Sequence, residues 1–352
     1  MSEVNKESGE ITIATDEGTG RIIKARNIIQ LLMFSAESPN ILKPFPHLPL
    51  QDRVTIESAL KQNMLLRQKL LDAFPGREAG IDTERVQNFF RDYNLRTCPF
   101  IFIESEAALG KLESEYKQAG VYFHPFFKVD DWQALYEREI DLIVVRTDKG
   151  LSQRPKLDQE WYLAHEQAHG SCGHGQCKLM DGDIFRPRVG FSISLNETDQ
   201  LGDFIEEGFA DYMAGLYRSK FADQETLDKF NPYVVGKPTS LDVSVDFEID
   251  GISIPAKYLA IDETGEMVDG VNAFPAYAFE LICAARPKFL EKALAARSNP
   301  AMLTQVAKEI NALTPGLYPA LRELKYESAE FRSGLEMVIN SLGESALAKN
   351  RL

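Results

Sequence analysis

The apolar positions follow a helical spacing at both ends of the chain and a strand-like one in its middle. Ile22, Ile23, Ile28, Ile29, Leu31, Leu32 and Phe34 predict a first helical segment beginning at Arg21. Pro39, Pro44, Pro46 and Pro49 then predict a loop between Ser35 and Leu50. Ile56, Leu60, Met64, Leu65 and Leu71 recur at helical spacing from Asp52 to Phe74, where Pro75-Gly76 is a stop signal. A shorter helix is expected from Thr83 to Tyr93. Three β-branched or aromatic runs follow, Phe100–Ile103, Val121–Phe127 and Leu142–Val145, and each predicts a strand. A helix from Glu104 to Ala119, closed by Gly120, separates the first two. Leu157-Asp158 opens the next helix, with Asp158 in the role of N-cap and Gly170 as its end. Phe191–Leu195 predicts a further strand and Asp203–Arg218 a strong helix. Alternation from Asp242 to Ile261 around Asp250-Gly251 predicts a hairpin. After Asn272 the pattern is helical, broken near Pro300 and Pro315. Strands followed by helices make an α+β order. The pattern divides the chain into a leader (1–20), a helical N-terminal region (21–95), a core (96–220) and a hairpin with a helical C-terminal region (221–352).

Composition narrows the partners. The 352 residues carry 39 Lys and Arg against 53 Asp and Glu, a net charge of −14. Phosphate backbones and anionic membranes select clustered Lys and Arg, so neither nucleic acid nor a membrane surface is expected as a partner. The polar, acidic leader has no apolar core and reads as disordered, without an export signal, which makes the cytoplasm the expected compartment. Four cysteines in this length do not make a disulfide scaffold.

The chemistry concentrates in His165-Glu166-Gln167-Ala168-His169. Two histidines four apart share one helix face, one turn from each other. Their imidazoles can grip a single Zn²⁺. Glu166 is rotated about 100° from His165 and borders that point, where a carboxylate can take a proton from a metal-bound water. A catalytic zinc takes three protein ligands and leaves a position for water, so a third ligand is needed. The block Glu206-Glu207-Gly208-Phe209-Ala210-Asp211 offers carboxylates on a second helix, with Glu207 and Asp211 one turn apart.

These two blocks together resemble the gluzincin branch of zinc metallopeptidases, which includes thermolysin-like and aminopeptidase-like families. The resemblance spans roughly residues 157–217. The 38 positions from His169 to Glu207 exceed the thermolysin-like spacing and leave the subfamily open. The resemblance implies a zincin-like α+β fold, with a mixed sheet packed on the motif helix and mainly helical terminal regions. It also implies one Zn²⁺ held by His165, His169 and Glu207, with Asp211 orienting a ligand histidine, His165 by analogy. The implied activity is peptide hydrolysis on a peptide or protein substrate, with Glu166 as general base and then as proton donor to the leaving amine.

Other residues compete for roles. His174 is the rival third ligand, although a metzincin pattern would need Gly at 172 and His at 175, where Cys172 and Gly175 stand. Cys172 and Cys177 could join His174 in a second metal site, form a redox pair, or be loop cysteines. Cys98 and Cys283 read as core thiols. Hydrolysis also needs a hydrogen-bond donor for the developing oxyanion, and Tyr217, Tyr258, Tyr277, Arg218 and His174 are the candidates. Two alternatives stand beside a general peptidase: a zincin that binds metal without hydrolysis, in a regulatory or structural role, and a processing protease for one cellular protein. The oligomeric state is not legible.

Overall fold

The computed structural model describes residues 50–74, 81–121, 132–148, 156–172, 200–221, 272–299, 302–325 and 328–343 almost without a break, with shorter pieces at 3–24, 177–194 and 246–269. Three short antiparallel strands lie at the start: β1 (Glu3–Asn5), β2 (Glu10–Ala14) and β3 (Gly20–Lys24). The sequence pattern points there to a leader and the start of a helix. The Ile-Thr-Ile alternation at 11–13 has the period of a strand instead. Helix α1 (Leu50–Ala73) forms where expected but turns Leu66 and Leu70 inward, while Met64 and Leu65, expected on its apolar face, are exposed. Helix α2 (Thr83–Asp92) matches its periodicity.

The central sheet is mixed. Strand β4 (Phe100–Ile103) leads through α3 (Glu106–Ala119) to β5 (Ala134–Glu137) and β6 (Leu142–Arg146), in the order β4-β6-β5. β4 runs parallel to β6 and β5 antiparallel to it. Side-chain alternation splits the sheet into two faces. Phe100, Phe102, Ile143 and Val145 join the larger core, while Ile101, Ile103, Leu142 and Val144 join a smaller one with Leu66 and Leu70 of α1 and Leu109, Leu112 and Tyr116 of α3. Both faces are covered, which is why these strands are apolar throughout. Helix α3 is closed at both ends by its own chemistry. The Ser105 side chain accepts from the Ala108 N–H, and Gly120 takes the left-handed conformation at φ 64°.

The expected strand at Val121–Phe127 is not formed at its described positions, Val121, Phe123 and Phe127. Its described aromatic residues serve as core: Phe123 stacks on Phe127 at 4.8 Å, and Tyr116 and Trp132 meet Phe127 edge-on. The strand is β5, whose Ala-Leu-Tyr-Glu sequence has little strand character by itself.

The motif helix α4 (Lys156–Gly170) packs on β5 and β6 and against α5 (Asp203–Phe221). Between them lie two-residue strands: β7 (Cys177–Lys178) with β8 (Ile184–Phe185), and β9 (Ile193–Ser194) with β10 (Gln200–Leu201). The predicted hairpin is β11 (Asp246–Ile249) and β12 (Ile252–Pro255), with Ile249 opposite Ile252. A small pair, β13 (Ala260–Ile261) and β14 (Met267–Asp269), precedes the C-terminal helices. These are α6 (Ala273–Ala285), α7 (Phe289–Ser298), α8 (Leu303–Asn311), α9 (Leu317–Glu323) and α10 (Ser328–Leu342). They share one continuous core with the sheet, α4 and α5. The molecule is thus of mixed α+β class, and no helix among the described residues is long and apolar enough to cross a membrane.

Helices α5 and α6 approach closely at Gly208. A Cβ there would sit 2.6 Å from the Pro275 carbonyl oxygen, a backbone atom that cannot rotate away. Gly208→Ala is therefore expected to push α6 outward and cost on the order of 1–3 kcal/mol. Thermal unfolding of the variant would register this as a lower Tm, and an unchanged Tm would show that the helices yield freely.

Candidate functional site

Helices α4 and α5 are antiparallel, and polar pairs run between them in order. At the start of α4, Asp158 meets Arg218 near the end of α5 at 2.6 Å. Asp158 is therefore a buried ion-pair partner inside the first turn and not the N-cap that the sequence predicts. Glu160 accepts from the Tyr217 hydroxyl at 2.7 Å and pairs with Arg85 of α2. Midway, His165 Nδ1 meets Asp211. At the far end, His169 Nδ1 lies 2.9 Å from Glu206 Oε1. Each step forward along α4 meets a step backward along α5.

A candidate metal point lies between the last two of these pairs. His165 Nε2 and His169 Nε2 are 3.1 Å apart, and Glu207 Oε2 is 3.4 Å from the first and 3.6 Å from the second. Ligand atoms on a tetrahedral ion with bonds of roughly 2.0–2.2 Å stand about 3.3–3.6 Å from one another. The triad His165, His169 and Glu207 therefore has the spacing to hold one small divalent ion. A carboxylate can only accept a hydrogen bond, so Asp211 and Glu206 each require the proton on the Nδ1 they face. Both Nε2 lone pairs are then directed to the common point.

Glu166 lies beside the triad. Its Oε2 accepts the Tyr136 N–H of β5 at 2.6 Å, which ties the carboxylate to the outer strand of the sheet. Burial lifts its pKa above the ordinary carboxylate range, against the pull of His165, His169 and the Tyr136 N–H. For His165 burial works against the imidazolium, but Asp211 and Glu207 outweigh it and the pKa is raised well above the usual value. His169 is likewise raised, to about 9, because Glu207 and Glu206 overcome its burial. Burial would raise Glu207, yet His169 and His165 hold it well below the carboxylate range. Glu206 falls to about 2, its burial overcome by Arg297 and His169.

Three residues at the site carry no local sequence signal of their role. Glu206, the residue before Glu207, faces His169 Nδ1 and lies outside the candidate triad. Arg297, on α7, donates to Glu206 from the far side. Asn272 precedes α6 but makes no capping bond; its Nδ2 donates instead to Glu207 Oε2 at 3.0 Å.

The expected oxyanion donors are placed as follows. The Tyr217 hydroxyl donates to Glu160 and accepts from Arg85 Nε at 3.0 Å, ten residues or about 15 Å along α5 from Glu207. The Tyr258 hydroxyl donates to Glu280 at 2.9 Å. Arg218 is held by Asp158. None of these three is brought to the triad. Tyr277 is half-buried on α6, and His174 lies outside the described residues. Cys172 is buried under the end of α4 with its Sγ 3.2 Å from the His169 carbonyl oxygen, while the side chain of Cys177 lies outside the described residues. Cys98 is fully buried and Cys283 half-buried, and all three described cysteines are free thiols.

No family model matches the chain, and neither a curated protein nor a solved structure is significantly similar to it.

Proposed function

We propose that the protein is a zinc-dependent peptidase of gluzincin type, with His165, His169 and Glu207 as ligands and Glu166 as general base. The observation that carries this reading is the convergence of two imidazoles and one carboxylate at ligand spacing, with a raised-pKa carboxylate at their border. Two nitrogen donors favour zinc over the oxygen-seeking Ca²⁺ and Mg²⁺. Bound there, Zn²⁺ would lower the pKa of a water toward neutrality and polarise a scissile carbonyl. Glu166 accepts the proton of the attacking water and returns it to the leaving amine nitrogen, and its raised pKa suits both transfers. Asp211 and Glu206 keep the imidazoles oriented throughout. A peptide substrate also suits the surroundings: among the described residues β5 is the end strand of the sheet beside Glu166, and an extended chain can pair alongside such a strand.

Metal content tests the reading. Purified wild type is expected to carry one zinc per chain and Glu207→Ala to lose most of it. Zinc must displace protons from both histidines, so apparent affinity is expected to rise with pH, about tenfold per unit for each proton displaced. The rise should become shallower above pH about 9, where His169 no longer binds a proton and only His165 still has one to lose. A wild type without zinc, or affinity that is flat from pH 6 to 9, would contradict the assignment.

A metal-binding protein without hydrolysis is the second reading, and one observation favours it: the hydroxyls of Tyr217 and Tyr258 are engaged away from the triad. A peptide library separates the readings. Broad cleavage supports a general peptidase, cleavage of only one supplied protein a processing protease, and no cleavage by the zinc-loaded chain the non-hydrolytic reading.

A further inference from the structure

Arg297 is the least exposed charge in the neighbourhood of the triad, at 0 % relative exposure, and every polar atom of its guanidinium is committed. Nη1 donates to Glu206 Oε2 at 2.5 Å. Nη2 donates to the Ala168 carbonyl and, at 3.2 Å, to the His169 carbonyl. Nε donates to Ser171 Oγ at 3.2 Å. The guanidinium also lies 4.5 Å from the Phe209 ring centroid. Glu206 is equally committed, since Oε1 meets His169 Nδ1 and Oε2 also accepts the Phe191 N–H at 2.7 Å. One arginine thus grips the backbone of His169 directly and its ring through Glu206. The space is reserved for this pair: Gly190 sits at φ 55°, and a Cβ there would overlap both Arg297 Nη1 and Glu206 Oε2.

We propose that Glu206 and Arg297 are a positioning pair for the metal site, through which helix α7 sets how tightly His169 binds the ion. This rests on the metal reading of the triad. Glu206 fixes the Nδ1–H tautomer and the ring plane of His169, which leaves Nε2 aimed at Glu207 and His165. Arg297 fixes Glu206 and anchors the last turn of α4. Both rings are held by carboxylates of α5, Asp211 for His165 and Glu206 for His169, but Glu206 and the His169 carbonyl are in turn gripped by an arginine 128 residues beyond His169. A metal site dependent on α7 makes the C-terminal helices part of the binding machinery.

The test measures zinc affinity of the full chain by competition with a chromophoric chelator, together with the visible spectrum of the Co²⁺ form. Wild type is measured first, and a wild type that binds neither ion refutes the underlying metal reading, and with it this proposal. Glu206→Gln keeps the size and an acceptor but loses the charged bond. It is expected to bind zinc 10–100-fold more weakly, with a shifted Co²⁺ spectrum and one ion still bound. The double variant Glu206→Leu with Arg297→Met replaces the buried ion pair by apolar groups, which preserves packing. Its metal-free form is expected to unfold near the wild-type temperature while zinc affinity stays 10–100-fold low. Wild-type affinity in Glu206→Gln, or affinity that recovers with stability in the double variant, would overturn the proposal and leave the pair a purely structural one. If the double variant does not fold, Glu206→Gln alone decides.

Discussion

Glu166→Gln is expected to keep its zinc and lose about 10²–10⁴-fold in kcat, the usual contribution of a positioned general base. The substitution is nearly isosteric, and the amide oxygen can still accept the Tyr136 N–H that holds Glu166 against β5. The ligands His165, His169 and Glu207 are not touched. What disappears is the ability to take a proton and return it. Because burial already disfavours the ionised Glu166 side chain, a neutral amide in its place should leave Tm equal to or slightly above that of wild type. Three measurements on one preparation check this: zinc per chain, Tm, and the rate on a cleaved peptide. Full zinc and normal Tm with a wild-type rate would remove Glu166 from the mechanism.

Arg297→Met is expected to cost about 3–5 kcal/mol in the metal-free protein at neutral pH, the range for breaking a buried ion pair from one side. Glu206, at 2 % exposure, would keep its charge with no cation beside it except His169. The pH dependence gives the cause away. In wild type, Arg297 and His169 overcome burial and hold the Glu206 carboxyl at about 2, below its ordinary 4.5. Its stabilisation is thus fully present above pH 4.5 and is lost as pH falls toward 2. Without Arg297 the carboxyl takes up a proton more readily, so the gap between variant and wild type should narrow on acidification. Denaturant unfolding at pH 7 and pH 4 measures this, and a gap that is equal at both pH values would assign the loss to packing alone.

The helices that carry the triad were legible in the sequence because their signals are local. The spacing of His165 and His169 places two rings on one face, and Glu207 and Asp211 repeat the spacing on α5. Convergence of the two helices came from the resemblance, not from the spacing, and the antiparallel pairing accounts for it. Arg297 was illegible for the opposite reason. It meets Glu206 across 91 residues, and no local period marks such a partner. Asp158 has the residue type of an N-cap, but its ion pair with Arg218 draws it into the helix. The aromatic run at 121–127 has strand composition, yet ring packing uses Phe123 and Phe127 as core. β5 is a strand because β6 and α4 make it one, which its own four residues do not announce.

The ordered pairing of α4 with α5 makes the spacing along one helix a template for the other. One extra residue between Tyr162 and Leu163 would turn everything beyond it by about 100° and advance it by about 1.5 Å. Asp158 and Glu160 would keep their partners, but His165, Glu166 and His169 would all rotate off theirs together. Substitutions can injure this centre one bond at a time, whereas a change of helix length dismantles it in a single stroke.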